Sequence, residues 1–472
     1  MPVKARLALL VCGFGLVSCA GQAQLDLIYN KSASYHAPDR NPIVVIPGMM
    51  GSSLRDALSG AIVWGAFDGK SVNPASAHGA RLLALPLDES DDAVEPAAVL
   101  DRIRIRLAGI PFQLEVYAQI LVTLGAAGYR DSDLGTAGEV DYGDDHFTCF
   151  QFAYDWRKDN VENAARLHAF LVQKRAYVRD EYRERYGIEQ ADVKFDIVAH
   201  SMGGLLTRYF LRYGAQDLPD DGSLPELNWA GAELAERVVL IAPPNAGSLD
   251  ALLSLVEGRR LAPTLPYYSP AILGTFPSMY QVLPRARHHR VIWEDNGAPL
   301  EDPLDPALWE TLGWGVADAQ QDEALAILMP EVADKDARRT IALKAQRRYL
   351  SRARAFMAAL DRHATAPPGL ELYLIAGDAT NTPKRVSVNR KNGRLRVVDY
   401  APGDGTVLRS SVLLDEREGR AWQPTLVTPI DYRSVLLLPE SHFGMTKNTV
   451  FRDNMLFWLL EEPRREPTHG SF

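Results

Sequence analysis

The sequence predicts an α/β protein: a mostly parallel sheet with helices on both faces. Three observations carry this. Runs rich in β-branched residues at 43–46, 193–198 and 238–242 have the unbroken apolar pattern of strands buried on both sides. Helix-forming segments separate such runs, the longest of them at 161–186, and this alternation builds parallel sheets. Third, the run at 193–198 stops at Ala199-His200-Ser201-Met202-Gly203-Gly204, and a helix-period series (Leu205, Leu206, Tyr209, Phe210, Tyr213) follows at once.

At the N-terminus, Lys4 and Arg6 precede an apolar run, 7–17, that is too short to span a bilayer. It ends in Leu16-Val17-Ser18-Cys19, the pattern of a bacterial lipoprotein signal, in which the chain is cut before the cysteine and its sulfur is acylated. The signal, read as 1–19, is thus expected to be cut just before Cys19, Cys19 to carry lipid, and the protein to be exported and anchored at a membrane surface, with Ala20 favouring the outer membrane. The alternative is an ordinary signal peptide cut near 20–23, giving a periplasmic or secreted protein. Residues 20–40 read as a polar tether, and 41–248 as the first part of the core. Within it, 55–110 reads as an insertion with short strands, 112–124 has helical periodicity and 147–154 reads as a strand. Residues 249–365 change character: rich in Pro, Trp, Tyr and Leu, then helical and charged over 337–360. They are expected to form a cap or lid. The core resumes over 366–461, with strands at 370–376, 395–400 and 435–438 and a closing amphipathic helix at 448–460; 462–472 reads as a solvated tail.

Composition narrows the function. The chain is 47% hydrophobic and 24% charged, with a formal charge of -9, and shows no basic stripe, so nucleic acid is not an expected partner. There is no phosphate-binding glycine loop and no His/Cys cluster at metal-ligand spacing, so neither cofactor nor metal is expected. Of the three cysteines, Cys12 and Cys19 fall in the signal, leaving Cys149 as a buried thiol without a disulfide partner. His288-His289, between arginines, is expected at the surface. The oligomeric state is left open.

The strand–turn–helix at Ser201 is the context a nucleophile elbow requires. A sharp turn lifts the hydroxyl out of the sheet and leaves room only for small residues two before and two after it, here Ala199 and Gly203. A serine needs a base, a group that orients the base, and donors for the oxyanion. α/β-Hydrolases place these in the order Ser, Asp or Glu, His. Among the downstream histidines, His442 alone follows a strand, the others being His288, His289, His363 and His469. For the acid, Asp404 between Gly403 and Gly405 is favoured; Asp378 is the rival and Asp399 sits inside strand-like sequence. The oxyanion donors are expected to be the N–H groups of Met202 and of Met49, in the small-residue loop after the first strand. The side chains of Met49 and Met50 would line an apolar pocket, or simply pack in the core.

Seven motifs, in order, resemble the lecithin:cholesterol acyltransferase family, which includes lysosomal phospholipase A2 and the phospholipid:diacylglycerol acyltransferases. They begin at Ile46 (IPGMMGSSL), Ala153 (AYDWR), Ala199 (AHSMGG), Ile241 (IAPPNAGS), Phe276 (FPSMYQVLP), Gly403 (GDGTV) and Ser441 (SHFGM). The resemblance implies an α/β-hydrolase fold, a Ser201–Asp404–His442 triad, oxyanion donors at Met49 and Met202, and a place near the acyl pocket for Trp156 and Arg157, whose other reading is a structural corner. Phe276 and Tyr280 lie in an aromatic stretch, 250–284, that suits an acyl pocket or a plain core. The animal members carry a disulfide-closed lid near the N-terminal insertion; with no cysteine there, this chain must differ. The expected function is a serine-dependent lipid acyl hydrolase or O-acyltransferase. The alternatives are a small-ester esterase and a non-catalytic, lipid-binding surface lipoprotein.

Overall fold

The computed structural model describes residues 23–67, 72–88, 90–107, 110–115, 117–260 and 266–464, with the backbone alone at 67 and over 102–107 and 110–115. The expected signal with Cys19 and most of the expected tail lie outside the described residues.

The central sheet has six strands: β1 (Ile43–Ile46), β2 (Cys149–Gln151), β3 (Phe195–His200), β4 (Ala235–Ile241), β5 (Glu371–Gly377) and β6 (Ser434–Leu438). Their spatial order is β6-β5-β4-β3-β1-β2, and every neighbouring pair is parallel. Side chains alternate across the sheet with a period of two. Val44, Ile46, Ile197, Ala199, Val238 and Leu240 face one apolar cluster, whereas Ile43, Val45, Val198, Val239 and Ile241 face the other. This two-sided burial is why these strands read as continuous apolar runs.

Helices cover both faces. On the first lie α2 (Asn160–Tyr186) and α3 (Met202–Tyr213), through Leu167, Leu171, Tyr209 and Phe210; on the second lie α1 (Ala118–Ala126) and α5 (Thr449–Leu456), through Ile120, Leu124, Phe451 and Met455. α2 starts where the Asp159 carboxylate accepts from the Val161 N–H, and stops at Gly187, whose φ of 69° favours glycine.

Residues 249–365 hold several short helices and α4 (Lys335–Asp361). Their Leu252, Phe276, Tyr280, Trp309 and Phe356 belong to the same apolar cluster as Val44 and Ile197. Two buried arginines of α3 grip the end of α4. Arg208 donates to the Leu360 carbonyl (2.8 Å) and Arg212 to those of Leu360 (3.2 Å) and Arg362 (2.6 Å), a cation pairing with the negative end of a helix.

Four local expectations are corrected. Over 112–124 the helix starts only at Ala118, because Ile110–Glu115 pairs antiparallel with Arg102–Leu107; a non-local partner overrides the local period. The strand at 395–400 is part of Leu395–Gly403, which pairs with Thr380–Val388 outside the central sheet. From residue 23, the segment read as a tether is docked: Tyr29 is 3% exposed and donates to Asp453, and Arg40 lies over the Tyr129 ring. His288 is buried, 3.6 Å from Glu416, and His289 alone is at the surface.

Candidate active site

The carboxyl ends of β1, β3 and β4 lie side by side, since Ile46 pairs with Ala199 and His200 with Ile241. In parallel sheets this is the edge where ligands bind. At the end of β3, Ser201 stands at φ 54°, ψ -126°, and such strain persists only where the surroundings enforce it. Its N–H donates to the Ile241 carbonyl (2.7 Å), and α3 begins at the next residue. A methyl on Gly203 would lie 2.3 Å from the Pro47 oxygen, which is why the position two after the serine must be glycine.

His442 and Asp404 converge on this serine. His442 Nε2 is 3.0 Å from Ser201 Oγ, and Nδ1 is 2.8 Å from Asp404 Oδ2. An ionised carboxylate only accepts, so Nδ1 carries the proton and Nε2 is free to accept from the serine. Asp404 is 2% exposed, and its Oδ1 also accepts from the N–H groups of Val407 (2.7 Å) and Thr406 (2.9 Å). Burial pushes its carboxyl up, but the charge and hydrogen bond of His442, with those two amides, outweigh it and hold the group below the ordinary carboxylate range.

The rival acids fall elsewhere. Asp378 directly follows β5, and its N–H donates to the Leu438 carbonyl. Asp399 lies in the strand pair and faces Lys384 (3.7 Å). That pair explains the choice. The chain leaves β5, runs out along Thr380–Val388, returns along Leu395–Gly403 and comes back to where it left, with Thr380 bridged to Asp404. Gly377, the last residue of β5, has no space for a methyl because Asp404 Cβ would stand 2.6 Å away. Asp404 therefore occupies the end of β5 although it is far along the chain from it.

The loop after β1 closes over the elbow. Gly51 N–H donates to the Gly48 carbonyl (3.0 Å), Met50 takes a φ of 63°, and its carbonyl accepts from Trp64 Nε1 (2.9 Å). A Cβ on Gly48 would sit 2.7 Å from Ser201 Cβ, so the loop bearing Met49 lies against the serine from one side. Met202 follows the serine in the chain and carries the first N–H of α3, which has no intrahelical acceptor.

The remaining predicted residues are divided. Trp156 is 1% exposed; its Nε1–H donates to the Ser52 carbonyl (3.1 Å), and its ring meets Trp64 and Phe276 edge-on at 5.2 and 5.6 Å. It thus buttresses the Met50 loop from within the aromatic cluster. Arg157 is fully buried and bound to Asp155, Asp92 and the Leu83 carbonyl, the bonding of a structural corner. Tyr280 packs on Trp309 and Tyr349 and donates to the Gly274 carbonyl. Sequence reading missed Tyr154, Tyr117 and His200. Tyr154 Oη donates to the Pro47 carbonyl (3.0 Å), and Tyr117 and His200 are linked behind the serine. Tyr117 has no local signal, since its partners are distant in the chain.

The parallel sheet, the elbow and the acid returned to the end of β5 define an α/β-hydrolase. Among solved structures the chain is similar to one in the Tle4-Tli4 complex, with 14% identity over 89% of this chain and 98% of that one and a TM-score of 0.52. It is more loosely similar to EstA from Clostridium botulinum (14% identity, 90% and 88% coverage, TM-score 0.36) and to the mature lipase BlEst2 from Bacillus licheniformis (12%, 90% and 95%, 0.32). The first of these likenesses shows the fold alone. No curated protein matches in sequence. Over residues 113–308 the chain matches the model of the lecithin:cholesterol acyltransferase family, the family its motifs resemble. That stretch holds Trp156, Arg157, Ser201, Phe276 and Tyr280; Met49, Asp404 and His442 lie outside it and reach Ser201 through the fold.

Proposed function

We propose that this protein is a serine-dependent acyl hydrolase or O-acyltransferase of ester lipids. The hydrogen-bonded array of Ser201, His442 and Asp404 on a strained elbow carries the reading. The family match over 113–308 supports an ester lipid as substrate.

In this reading Ser201 Oγ attacks the ester carbonyl carbon and its proton passes to His442 Nε2. Asp404 holds the imidazole in the required tautomer and stabilises the imidazolium. The oxyanion sits between the N–H groups of Met49 and Met202, the latter at the positive end of α3. Collapse breaks the ester C–O bond, the leaving alkoxide takes the proton from Nε2, and the acyl group stays on Ser201. Water or an acceptor alcohol then loses its proton to His442 and attacks the acyl carbon; the bond to Ser201 Oγ breaks, and Oγ takes that proton back from Nε2. Met50, half-buried against the apolar cluster that holds Trp156 and Phe276, would offer an acyl chain its apolar contact beside the Met49 amide. Acylation of Cys19 would hold the enzyme at the membrane that contains its substrate; Cys19→Ser is expected to move it from the membrane to the soluble fraction and to abolish labelling by radioactive palmitate.

The deciding experiment is single-turnover acyl release from a phospholipid and a short-chain ester, by wild type and Ser201→Ala, with and without a long-chain alcohol. Ser201-dependent release of fatty acid from phospholipid is expected, and a new ester in the presence of alcohol would assign a transferase. Release from the short ester alone would replace the lipid reading with an esterase. Release independent of Ser201 would remove the catalytic reading.

A further inference from the structure

Behind Ser201 three loops meet: the Met49 loop, the elbow, and the loop bearing His442. One buried hydrogen-bonded chain joins them. Gly48 N–H donates to Tyr117 Oη (2.7 Å), Tyr117 Oη is 3.0 Å from His200 Nδ1, and His200 Nε2 is 3.1 Å from the His442 carbonyl oxygen. The ends fix the direction of every link. An amide N–H only donates, so Tyr117 accepts from Gly48 and gives its own proton to Nδ1. A carbonyl only accepts, so the His200 proton is on Nε2. His200 is therefore neutral and of one tautomer. Burial drives its basicity down to about 3, with the charge of His442 acting the same way. Burial likewise raises the Tyr117 phenol, so neither end of the link ionises near neutrality. Both side chains are 1% exposed.

The chain acts on a loop that is otherwise held in place. The peptide between Pro47 and Gly48 is gripped on both edges, its oxygen by Tyr154 Oη (3.0 Å) and its N–H by Tyr117 Oη. In the next peptide, the Gly48 oxygen is taken by Gly51 N–H, and the bond is trans. The Met49 N–H must then point to the opposite side. At its other end the chain grips the main chain of the residue that supplies the base, whose ring lies 4.7 Å from that of His200.

We propose that Tyr117 and His200 are positioning residues that lock the loop carrying the Met49 amide to the loop carrying His442, keeping oxyanion donor and base in one relative placement. The inference rests on the acyl-transfer reading of Ser201. Neither side chain is assigned a contact with the reacting atoms. Their contribution is to spare the site the reorganisation that charge development would otherwise demand.

The test uses Tyr117→Phe, which keeps the ring and removes the oxygen, and His200→Asn, whose short amide can meet Tyr117 but not the His442 carbonyl. For each, kcat and KM on a short-chain ester are measured per active site titrated with a phosphonate. Affinities are measured for an alkyl boronic acid, which Ser201 Oγ converts to a tetrahedral anion, and for a long-chain alcohol as ground-state competitor. Displacing a reacting group by roughly an ångström costs about a hundredfold, so a loss of kcat of about ten- to a hundredfold is expected. Boronate affinity should fall in parallel while KM and alcohol affinity hold. Because the residues act as one chain, the double variant should be no slower than the slower single one. A purely structural role would lower the melting temperature and leave kcat per site and boronate affinity at wild-type values; that outcome overturns the proposal. If Tyr117→Phe does not fold, His200→Asn decides by the same split. Absence of Ser201-dependent turnover in the wild type removes the acyl-transfer reading, and this inference with it; wild-type turnover with unchanged variants removes the inference alone.

Discussion

Ser201 and Gly203 are two residues apart and limited by different forces. Ser201 bears a strained backbone that presents its hydroxyl to His442, and Gly203 has the Pro47 oxygen where a methyl would go. Gly203→Ala is expected to push β1 and α3 apart and lose both esterase activity and part of the thermal stability; a fully active, equally stable variant would show that the elbow tolerates more than its geometry allows. Asp404→Asn keeps the shape but removes the carboxylate that selects the imidazole tautomer, and should lower kcat by about 10⁴ with the fold intact. At this scale the sequence was informative where chemistry imposes a local pattern. The small residues around Ser201, the glycines around Asp404 and the strand before His442 are all local. Tyr117 and His200 were silent because their roles come from bonds across the fold, and Trp156 and Arg157 because a motif does not tell packing from contact.

Among elements, β3 and α3 each carry a deeply buried ionisable side chain. Asp196, near the start of β3, is 2% exposed; burial raises its carboxyl to about 7, the Glu236 charge adds to this, and the Asn41 hydrogen bond and Arg237 oppose it. A raised acid pKa means that the folded chain holds a proton the unfolded chain has released. Stability should therefore fall as pH rises from about 4 to 7, the reverse of a paired surface carboxylate. Asp196→Asn mimics the protonated form and should gain about 1–3 kcal/mol over wild type at pH 8 and nothing at pH 4, measured by urea unfolding. An equal change at both pH values would clear Asp196 of this role. In α3, Arg208 is 2% exposed and bonds to Asn245 Oδ1 and the Leu360 carbonyl. Arg208→Met strands both acceptors and should cost about 2–4 kcal/mol, with faster amide exchange at the end of α4 as its local mark. The strands of the central sheet were legible because burial on both faces leaves an unbroken apolar run. The segment 110–115 was not, since its strand exists only by pairing with Arg102–Leu107.

For the whole molecule, the order of strands and helices was readable because parallel sheets impose alternation. What lies beyond the sheet was less so. Neither the docking of residues 23–40 nor the grip of α3 on α4 leaves a periodic trace, because each rests on single side chains meeting distant backbone groups. The excursion between β5 and Asp404 has a consequence at this scale. Its two ends are neighbours, joined by the Thr380–Asp404 bridge and the close approach of Gly377. The acid is thus set by the neck of the excursion and not by its length or content. Beyond the neck the two strands are tied to Val291–Trp293 and bury Val386 and Val388 in the core, so the exposed turn at 391–392 is the place where chain can be added with little effect on the chemistry, a natural port for grafting a recognition module. Inserting a flexible loop between Lys391 and Asn392 should leave the Ser201-dependent rate on a small ester within a few-fold of wild type, whereas cutting at Thr380 should abolish it.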